Sequence, residues 1–415
     1  MTAPSTQELI HVFGRIGLLS FGGPAAQISL MHRELVETRD WLSEQSFLRA
    51  LSLCMLLPGP EAMQLATYAG WRLRGTLGGL IAGLLFVVPG ALVILLLAMG
   101  YAVYGEVPLV QAAFEGVKAA VIIIVLQALL KVSRKALTTR DAWVLAAAAF
   151  VALFVFGLPF PLIIVLAALY GAMMQNTGTP PETPAADIAP NTLKTLAIWA
   201  SLWALPVGVL WVTDQVFLTQ IALFFSKLAV VTFGGAYAVL AYMTQTVVQD
   251  FGWITTAQMI DALGLAETTP GPLILVTEFV ALLAGFAQGG IGLALAAGTV
   301  ALWVTFTPCF LWIFLAGPYL DIISSKPRLS SALSAITACV VGVILNLAIW
   351  FALHVLFTQT STATWHAAPV PELASLSFKA LGLTGLAAVL MLISKRGMVE
   401  TLVIMALAGV LTSLF

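Results

Sequence analysis

Charge is what this chain has least of. Asp, Glu, Lys and Arg make up 9% of its 415 residues, against about 25% in a soluble domain, while 60% are hydrophobic and the mean hydropathy is +1.03. So few charges cannot cover a water-facing surface. The balance excludes a soluble domain and a disordered chain, and a net charge of -1 gives no basic footprint for nucleic acid. Cysteine is also scarce: Cys54, Cys309 and Cys339 lie in apolar stretches without C-x-x-C spacing, which predicts small packing residues rather than redox or metal ligands. The four His form no H-x-x-x-H or H-E-x-x-H cluster, so neither a metal nor a cofactor is expected. The first 25 residues have no basic n-region or small-residue cleavage site, which predicts no cleaved signal. G-x-S-x-G, the phosphate-binding loop and the dinucleotide fingerprint are missing too. The chain is therefore not expected to be an enzyme, and uphill movement of a solute would draw on an ion gradient or the membrane potential.

What is present is apolar length. Runs at 76–104, 110–133, 193–213, 290–316 and 329–355 are each long enough to cross a ~30 Å hydrocarbon core as a helix. Others are interrupted: 8–30 by Phe21-Gly22-Gly23-Pro24, 45–72 by Pro58-Gly59-Pro60, 216–244 by Phe233-Gly234-Gly235, and 254–285 by Pro270-Gly271-Pro272. The pairs 142–156 with 160–175, and 376–393 with 398–415, read as short helices joined by tight turns. The fold class is an all-α polytopic membrane protein.

The interrupted segments are copies of one another. At an offset of 212, Phe13–Pro60 aligns without a gap on Phe225–Pro272 with 14 identities in 48 positions, including Phe-Gly-Gly, Met31/Met243, Trp41/Trp253 and the whole of Pro-Gly-Pro. The offset then grows to 219, which places Pro89 on Pro308 and Gln127 on Asn346. An internal duplication follows, giving a first repeat at 1–175, a polar Pro-rich linker at 176–192, a connecting transmembrane helix at 193–213 and a second repeat at 214–415. Lys and Arg fall at 32–49, 72–74 and 131–140 in the first copy but not at 105–109, whereas the second copy carries them at 326–328 and 395–396 and lacks them at 245–256 and 354–375. Basic residues favour the cytoplasmic side, so the copies are expected to be inverted repeats, with the N-terminus cytoplasmic. The interrupted segments then read as broken or re-entrant helices.

Each break frees backbone groups that must face protein or a wet cavity, and each new helix N-terminus offers N–H donors and about half a positive charge, a host for an anion. The alternative is that the breaks only kink helices for packing. Arg15 and Lys227 occupy equivalent positions (15 + 212 = 227) shortly before the two Phe-Gly-Gly breaks. A cation inside an apolar run costs about 2.5–3.5 kcal/mol at the bilayer centre, so it lines a pathway, has a partner, or snorkels to an interface. Two such cations suit a tetrahedral dianion. Ser20 and Thr232 directly precede the breaks, and Gln127 and Asn346 are matched amides; all four are candidates to donate to oxyanion oxygens or to bond between helices. Glu61 and Gln64 follow the first Pro-Gly-Pro, Glu267 precedes the second and Glu278 follows it. These carboxyls are the coupling candidates, with Arg72 or Arg74 as alternative partners. Glu115 and Lys118, three apart, are expected to pair, and Gly75, Gly79 and Gly83 to form a packing surface.

The run FGRIGLLSFGGPAAQISLMHRELV, followed by Trp41-Leu42 and LPGPEAMQLATYAGWRLRGTLGGLIAGLLFVVPG, resembles the chromate ion transporter family in its long two-domain form, over nearly the whole chain. The resemblance implies efflux of chromate from the bacterial cytoplasm across the inner membrane, conferring chromate resistance, with sulfate as the similar competitor. Carried over by motif are Arg15, Phe21, Gly22, Gly23, Pro24, Pro58, Gly59, Pro60, Glu61 and Gln64; the second copy departs from the pattern with Ala236 and Leu273 in place of Pro and Glu. The expected substrate site comprises Arg15, Lys227, Ser20, Gly22, Gly23, Thr232, Gly234, Gly235, Pro58, Gly59, Pro60, Gln64, Pro270, Gly271, Pro272, Gln127 and Asn346. A proton as coupling ion and a homodimer are further expectations. The other readings are uptake of sulfate or another oxyanion, and a membrane-embedded enzyme or scaffold. The inversion is checked by single cysteines: in a background without the three native thiols, Glu106→Cys and Lys326→Cys are expected to react with an impermeant maleimide from opposite sides of the membrane.

Overall fold

A computed structural model of the chain describes residues 4–174, 191–233, 235–320, 323, 326–362 and 369–414. Gly234 and most of the polar linker, 176–190, lie outside the described residues. In chain order the helices are α1 (Thr6–Leu19), α2 (Gly23–His32), α3 (Glu44–Leu56), α4 (Glu61–Tyr104), α5 (Pro108–Ala136), α6 (Arg140–Phe154), α7 (Phe160–Met173), α8 (Thr192–Val212), α9 (Val216–Val231), α10 (Ala236–Thr244), α11 (Thr256–Glu267), α12 (Val276–Ala316), α13 (Pro327–Leu356), α14 (Phe378–Ala388) and α15 (Met398–Thr412). A short antiparallel ribbon, β1 (Thr360–Thr362) and β2 (Pro369–Pro371), follows α13. Among the described residues, α4, α5, α8, α13 and the segment Leu273–Tyr319 around α12 are long and apolar enough to cross a membrane. The chain is an all-α multi-pass membrane protein, as its composition requires.

Local signals explain where helices begin. Ser5 and Thr255 open α1 and α11 with capping boxes closed by Glu8 and Gln258, so side chains satisfy the first orphan amides. Ser43, at the position equivalent to Thr255, caps α3 by accepting from the Ser46 amide. Pro stands in the first turn of α5 and α7, where its missing N–H costs nothing. After residue 32 α2 runs on into a π-helical turn, Arg33–Glu37, and α10 does the same at Gln245–Asp250, again 212 residues on.

Both α4 and α12 turn back on themselves. The helix of α4 breaks at Arg74 and at Gly75 (φ 62°, ψ -158°), and that of α12 at Gly289 and at Gly290 (φ 70°, ψ -160°), dihedrals that only glycine takes without strain. The arms then lie side by side: a Cβ on Gly70 would meet the Gly78 carbonyl oxygen at 2.3 Å, and one on Gly285 would meet the Leu293 oxygen at 2.7 Å. Residues 61–73, about 20 Å long at 1.5 Å per residue, are too short to span the hydrocarbon alone. Gly79 and Gly83 face Phe314 and Phe310 and the Thr67 side of the first arm, the packing role expected of them.

The chain divides into two compact units, each drawing on both sequence halves: residues 1–98, 175–236 and 269–330 in one, and 99–174, 237–268 and 331–415 in the other. In the first unit α12 packs on α8 and α9, and Trp199 of α8 stacks against Phe310 and Phe314. In the second, α5 is the central helix, with α15, α14 and α11 around it. Its core joins Ala119, Ala120, Ile123 and Ile124 to Leu383, Ala387, Leu402 and Met405. Cys54, Cys309 and Cys339 are buried free thiols, the packing residues expected. Gly70→Ala is expected to cost about 1–3 kcal/mol, because the new methyl meets backbone rather than a movable side chain. Gly208→Ala, in open space on α8, is expected to leave stability unchanged or raise it by about 1 kcal/mol; thermal unfolding in detergent compares the two.

Candidate functional site

The first unit contains all four helix breaks, and backbone hydrogen bonds join them in crossed pairs. The Gly59 amide, in the first Pro-Gly-Pro, donates to the Thr232 carbonyl of the second copy at 2.8 Å, and the Gly271 amide, in the second Pro-Gly-Pro, donates to the Ser20 carbonyl of the first copy at 2.9 Å. These two bonds link equivalent residues, since 20 + 212 = 232 and 59 + 212 = 271. The hydroxyls match as well: Ser20 Oγ donates to the Ile16 carbonyl and Thr232 Oγ1 to the Leu228 carbonyl, each at 2.6 Å. Both hydroxyls thus close the last turns of α1 and α9, and their own carbonyls are left to accept from the partner break.

Glycine is required where these chains meet. Gly59 (φ 122°) and Gly271 (φ 91°) have left-handed backbones. A Cβ on Gly59 would lie 2.8 Å from Gln64 Nε2 and 3.0 Å from Cys309 Sγ, and one on Gly90 would lie 2.1 Å from the Pro270 carbonyl oxygen. Each Pro-Gly-Pro therefore packs on the long helix of the other copy, beside Pro308 in one case and Pro89 in the other. Pro270, Gly271 and Pro272 are buried, whereas Pro58 and Pro60 are half-buried around a buried Gly59. Gly22 (φ 85°) caps α2 without a side-chain bond and is exposed; Gly23 (φ 77°) and Gly235 (φ 101°) are partly buried. New helices start directly after each break, at Gly23, Glu61, Ala236 and Leu273.

Two buried amides serve the breaks, and both come from the first copy. Gln64 Nε2 donates to the Pro58 carbonyl at 2.7 Å, while Gln27 Nε2 donates to the Gly271 carbonyl at 2.6 Å and to that of Ser20 at 3.2 Å. Their counterparts in the second copy are Val239 and Val276. The Oε1 atoms of Gln27 and Gln64 are buried without a partner among the described residues, so each can accept from water or a protonated solute. Gln27 is a site residue that the charge-and-break reasoning passed over, although it lies inside the FGGPAAQ run; its signal was an amide in an apolar segment four residues after the second glycine.

The charged candidates are placed otherwise. Arg15 is exposed on α1, with its guanidinium 4.0 Å from the buried Glu34 carboxylate, which also pairs with Arg39. Lys227 is exposed on α9. At the end of α2, His32 bridges Glu44 (2.6 Å) and Glu37 (3.1 Å); the Glu44 hydrogen bond holds its pKa above the ordinary 6.5. Arg74 binds the Pro4 carbonyl and the Thr6 hydroxyl instead of a carboxylate. Glu61 opens α4, where the helix dipole favours its charge. Glu278 is buried on α12 with Oε2 unpartnered among the described residues.

Other candidates belong to the second unit. Gln127 donates to the Met391 carbonyl at 3.4 Å, and Asn346 lines a cleft with Thr244, Gln245, Gln249 and Trp350. Glu267 accepts from the Tyr237 hydroxyl. The expected Glu115–Lys118 pair does not form: Lys118 is 3.4 Å from Asp261 and Glu115 is 2.6 Å from Lys379, because tertiary partners on α11 and α14 outcompete a same-helix pair worth a few tenths of a kcal/mol.

Long apolar helices, half-length arms ending at glycine and proline breaks, and backbone bonds that tie those breaks together define a class: multi-pass helical membrane proteins built around interrupted helices. Within that class the chain belongs to the chromate transporter family, whose model matches residues 7–172 and 219–413. The chain is 33% identical to a probable chromate transport protein of Synechococcus elongatus, over 82% of its own length and 83% of that protein's. It is 31% identical to a chromate transport protein of Cupriavidus metallidurans, over 83% and 82% respectively, and 32% identical to one of Pseudomonas aeruginosa, over 82% and 79%. This is a family of transporters, not of enzymes. No solved structure matches the chain.

Gln27→Ala removes the donor that serves the buried Gly271 carbonyl, so a loss of about 1–3 kcal/mol and a lower midpoint of thermal unfolding are expected. Ser29→Ala, exposed on the same helix, is the control and is expected to unfold as the parent does.

Proposed function

We propose that this chain is a secondary transporter that exports chromate from the cytoplasm by alternating access around an anion site at the four helix breaks. The observation that carries this reading is the crossed pair Gly59–Thr232 and Gly271–Ser20, which holds the breaks of both copies in one unit, with a helix start after each. Helix N-termini stabilise an anion through free amides and the helix dipole without adding a charge to the membrane. Arg15 and Lys227, exposed on the helices that lead into the Phe-Gly-Gly breaks, bring two positive charges to a dianion. In the resting protein Glu34 holds Arg15 in place of the substrate.

Energetics favour the outward direction. The membrane potential is worth about 2.3 kcal/mol per charge per 100 mV, so a dianion leaving an interior-negative cell gains about 4.6 kcal/mol at that potential. Uptake of the same ion would require several co-transported cations. A proton is the expected coupling ion, and the carboxyls Glu61, Glu267 and Glu278, which flank the Pro-Gly-Pro segments in the sequence, are candidates for carrying it. The names of the relatives and the family support chromate as substrate, and sulfate, with the same charge and shape, is the expected competitor. In this reading the two sequence copies are inverted in the inner membrane, with the N-terminus and the basic 32–49 stretch cytoplasmic, as the Lys and Arg distribution supports.

Everted membrane vesicles carrying the protein are expected to take up labelled chromate saturably, with inhibition by sulfate. In the Arg15→Ala, Lys227→Ala double variant the uptake is expected to fall at least about tenfold, since each charge-assisted contact is worth about 1.5 kcal/mol or more. The absence of saturable flux removes the transporter reading; undiminished flux in the double variant removes the cation pair.

A further inference from the structure

The second unit buries an ionisable group that no part of the anion site uses. Asp261 of α11 is 2% exposed, and its Oδ2 accepts from the Tyr101 hydroxyl at 2.8 Å and lies 3.4 Å from Lys118 Nζ. Its Oδ1 is buried without a partner among the described residues. Lys118 lies ten residues into α5 from Pro108, about 15 Å along a helix that is long and apolar enough to cross the membrane. Tyr101 lies in the last turn of α4, three residues before the helix ends at Tyr104 and the chain enters the 105–107 turn. A carboxylate and an ammonium this deep in an apolar segment are costly, and removing either partner leaves a buried charge.

The arrangement joins Tyr101 and Lys118 of the first copy to Asp261 of the second, and it is not repeated with the copies exchanged. The residue equivalent to Asp261 is Arg49 at the offset of 212, and those equivalent to Tyr101 and Lys118 are Leu320 and Thr337 at the offset of 219. The crossed bonds at the breaks are repeated in both copies, so they serve a task that the halves share. A lysine and a tyrosine of one copy joined to a carboxylate of the other, at one place and not at its equivalent, serve a task done once per cycle.

We propose that Asp261, with Lys118 and Tyr101, is the proton-binding site that couples anion movement to the proton gradient; this rests on the transporter reading above. In one state Asp261 is ionised and paired with Lys118. In the other, Oδ1 takes a proton from water, the O–H bond forms, and Lys118 keeps its three protons but loses its partner. The Tyr101 hydroxyl donates to Oδ2 in both states. Return of the proton to water on the opposite side restores the pair. A proton suits this place and a sodium ion does not, because the ammonium already occupies the position from which a metal cation would neutralise the carboxylate.

The surroundings leave Asp261 as the group that changes charge. On α5, Lys118 faces it, and Glu115 is engaged outward by Lys379. At the end of α4 stands Tyr101, with Glu106 in the turn beyond it. On α11 itself Glu267 is held by Tyr237, and the packed helix α15 carries only Glu400, which is paired with Arg396.

Two measurements on the full-length protein test this. In proteoliposomes with an internal pH dye, chromate movement by the parent protein is expected to carry protons and to respond to an imposed pH gradient. In Asp261→Asn both the proton signal and the gradient response are expected to be lost. Proton movement that persists in Asp261→Asn, or a sodium gradient that replaces the pH gradient in the parent, overturns the proposal. Independently of flux, dicyclohexylcarbodiimide reacts with protonated carboxyls in apolar surroundings. Mass spectrometry is expected to find Asp261 modified, increasingly as pH falls, and modified at higher pH in Lys118→Met. If Asp261 stays unmodified at every pH in both proteins, it is not a proton-binding group. If the parent moves no chromate, the transporter reading falls, and the labelling alone decides whether Asp261 binds a proton.

Discussion

Everything in the first unit follows from one constraint: a helix that breaks in apolar surroundings must find partners for the backbone groups it frees. Each unpaired amide or carbonyl there costs several kcal/mol, and no solvent meets the cost. This chain meets it by crossing. The carbonyl that ends α1 accepts from the glycine of the second Pro-Gly-Pro, and the carbonyl that ends α9 accepts from the glycine of the first. Each half thus takes a backbone partner for its break from the other.

That dependence sets the packing around it. For Gly271 to reach Ser20, the Pro270 carbonyl has to lie against Gly90, and for Gly59 to reach Thr232 the chain has to pass Cys309 and Gln64, with no room for a side chain at either glycine. The arms of α4 and α12 fold back at Gly75 and Gly290, which lays a half-length arm beside a long one in each. The result is a set of helix starts near well-bonded breaks, a polar environment made from backbone. The two halves are not equal in this. Gln27 and Gln64 support the breaks from the first copy alone, whereas the buried carboxylate Asp261 comes from the second.

Much of the architecture was legible in the residues. Helix positions agreed with the apolar runs to within a few residues, since a membrane helix needs an unbroken apolar length and Gly, Pro and capping residues mark its ends. The packing role of Gly79 and Gly83 was legible for the same reason. Polar partners were less so. Spacing joined Glu115 to Lys118, but spacing describes one helix in isolation; in the folded chain Lys118 reaches Asp261, 143 residues away, and Glu115 reaches Lys379. Arg15 was read toward the break, and its nearest carboxylate proved to be Glu34.

By itself the sequence determined that the chain lives in a membrane, that segments of its two halves resemble each other at an offset of 212, and where the apolar runs are broken, because composition, self-similarity and helix-breaking residues are properties of the chain alone. Only the tertiary structure decided what each break bonds to and which charges meet. Those choices depend on which helix faces come together, and in a medium without water a buried donor or carboxylate takes whichever partner the packing brings within about 3 Å.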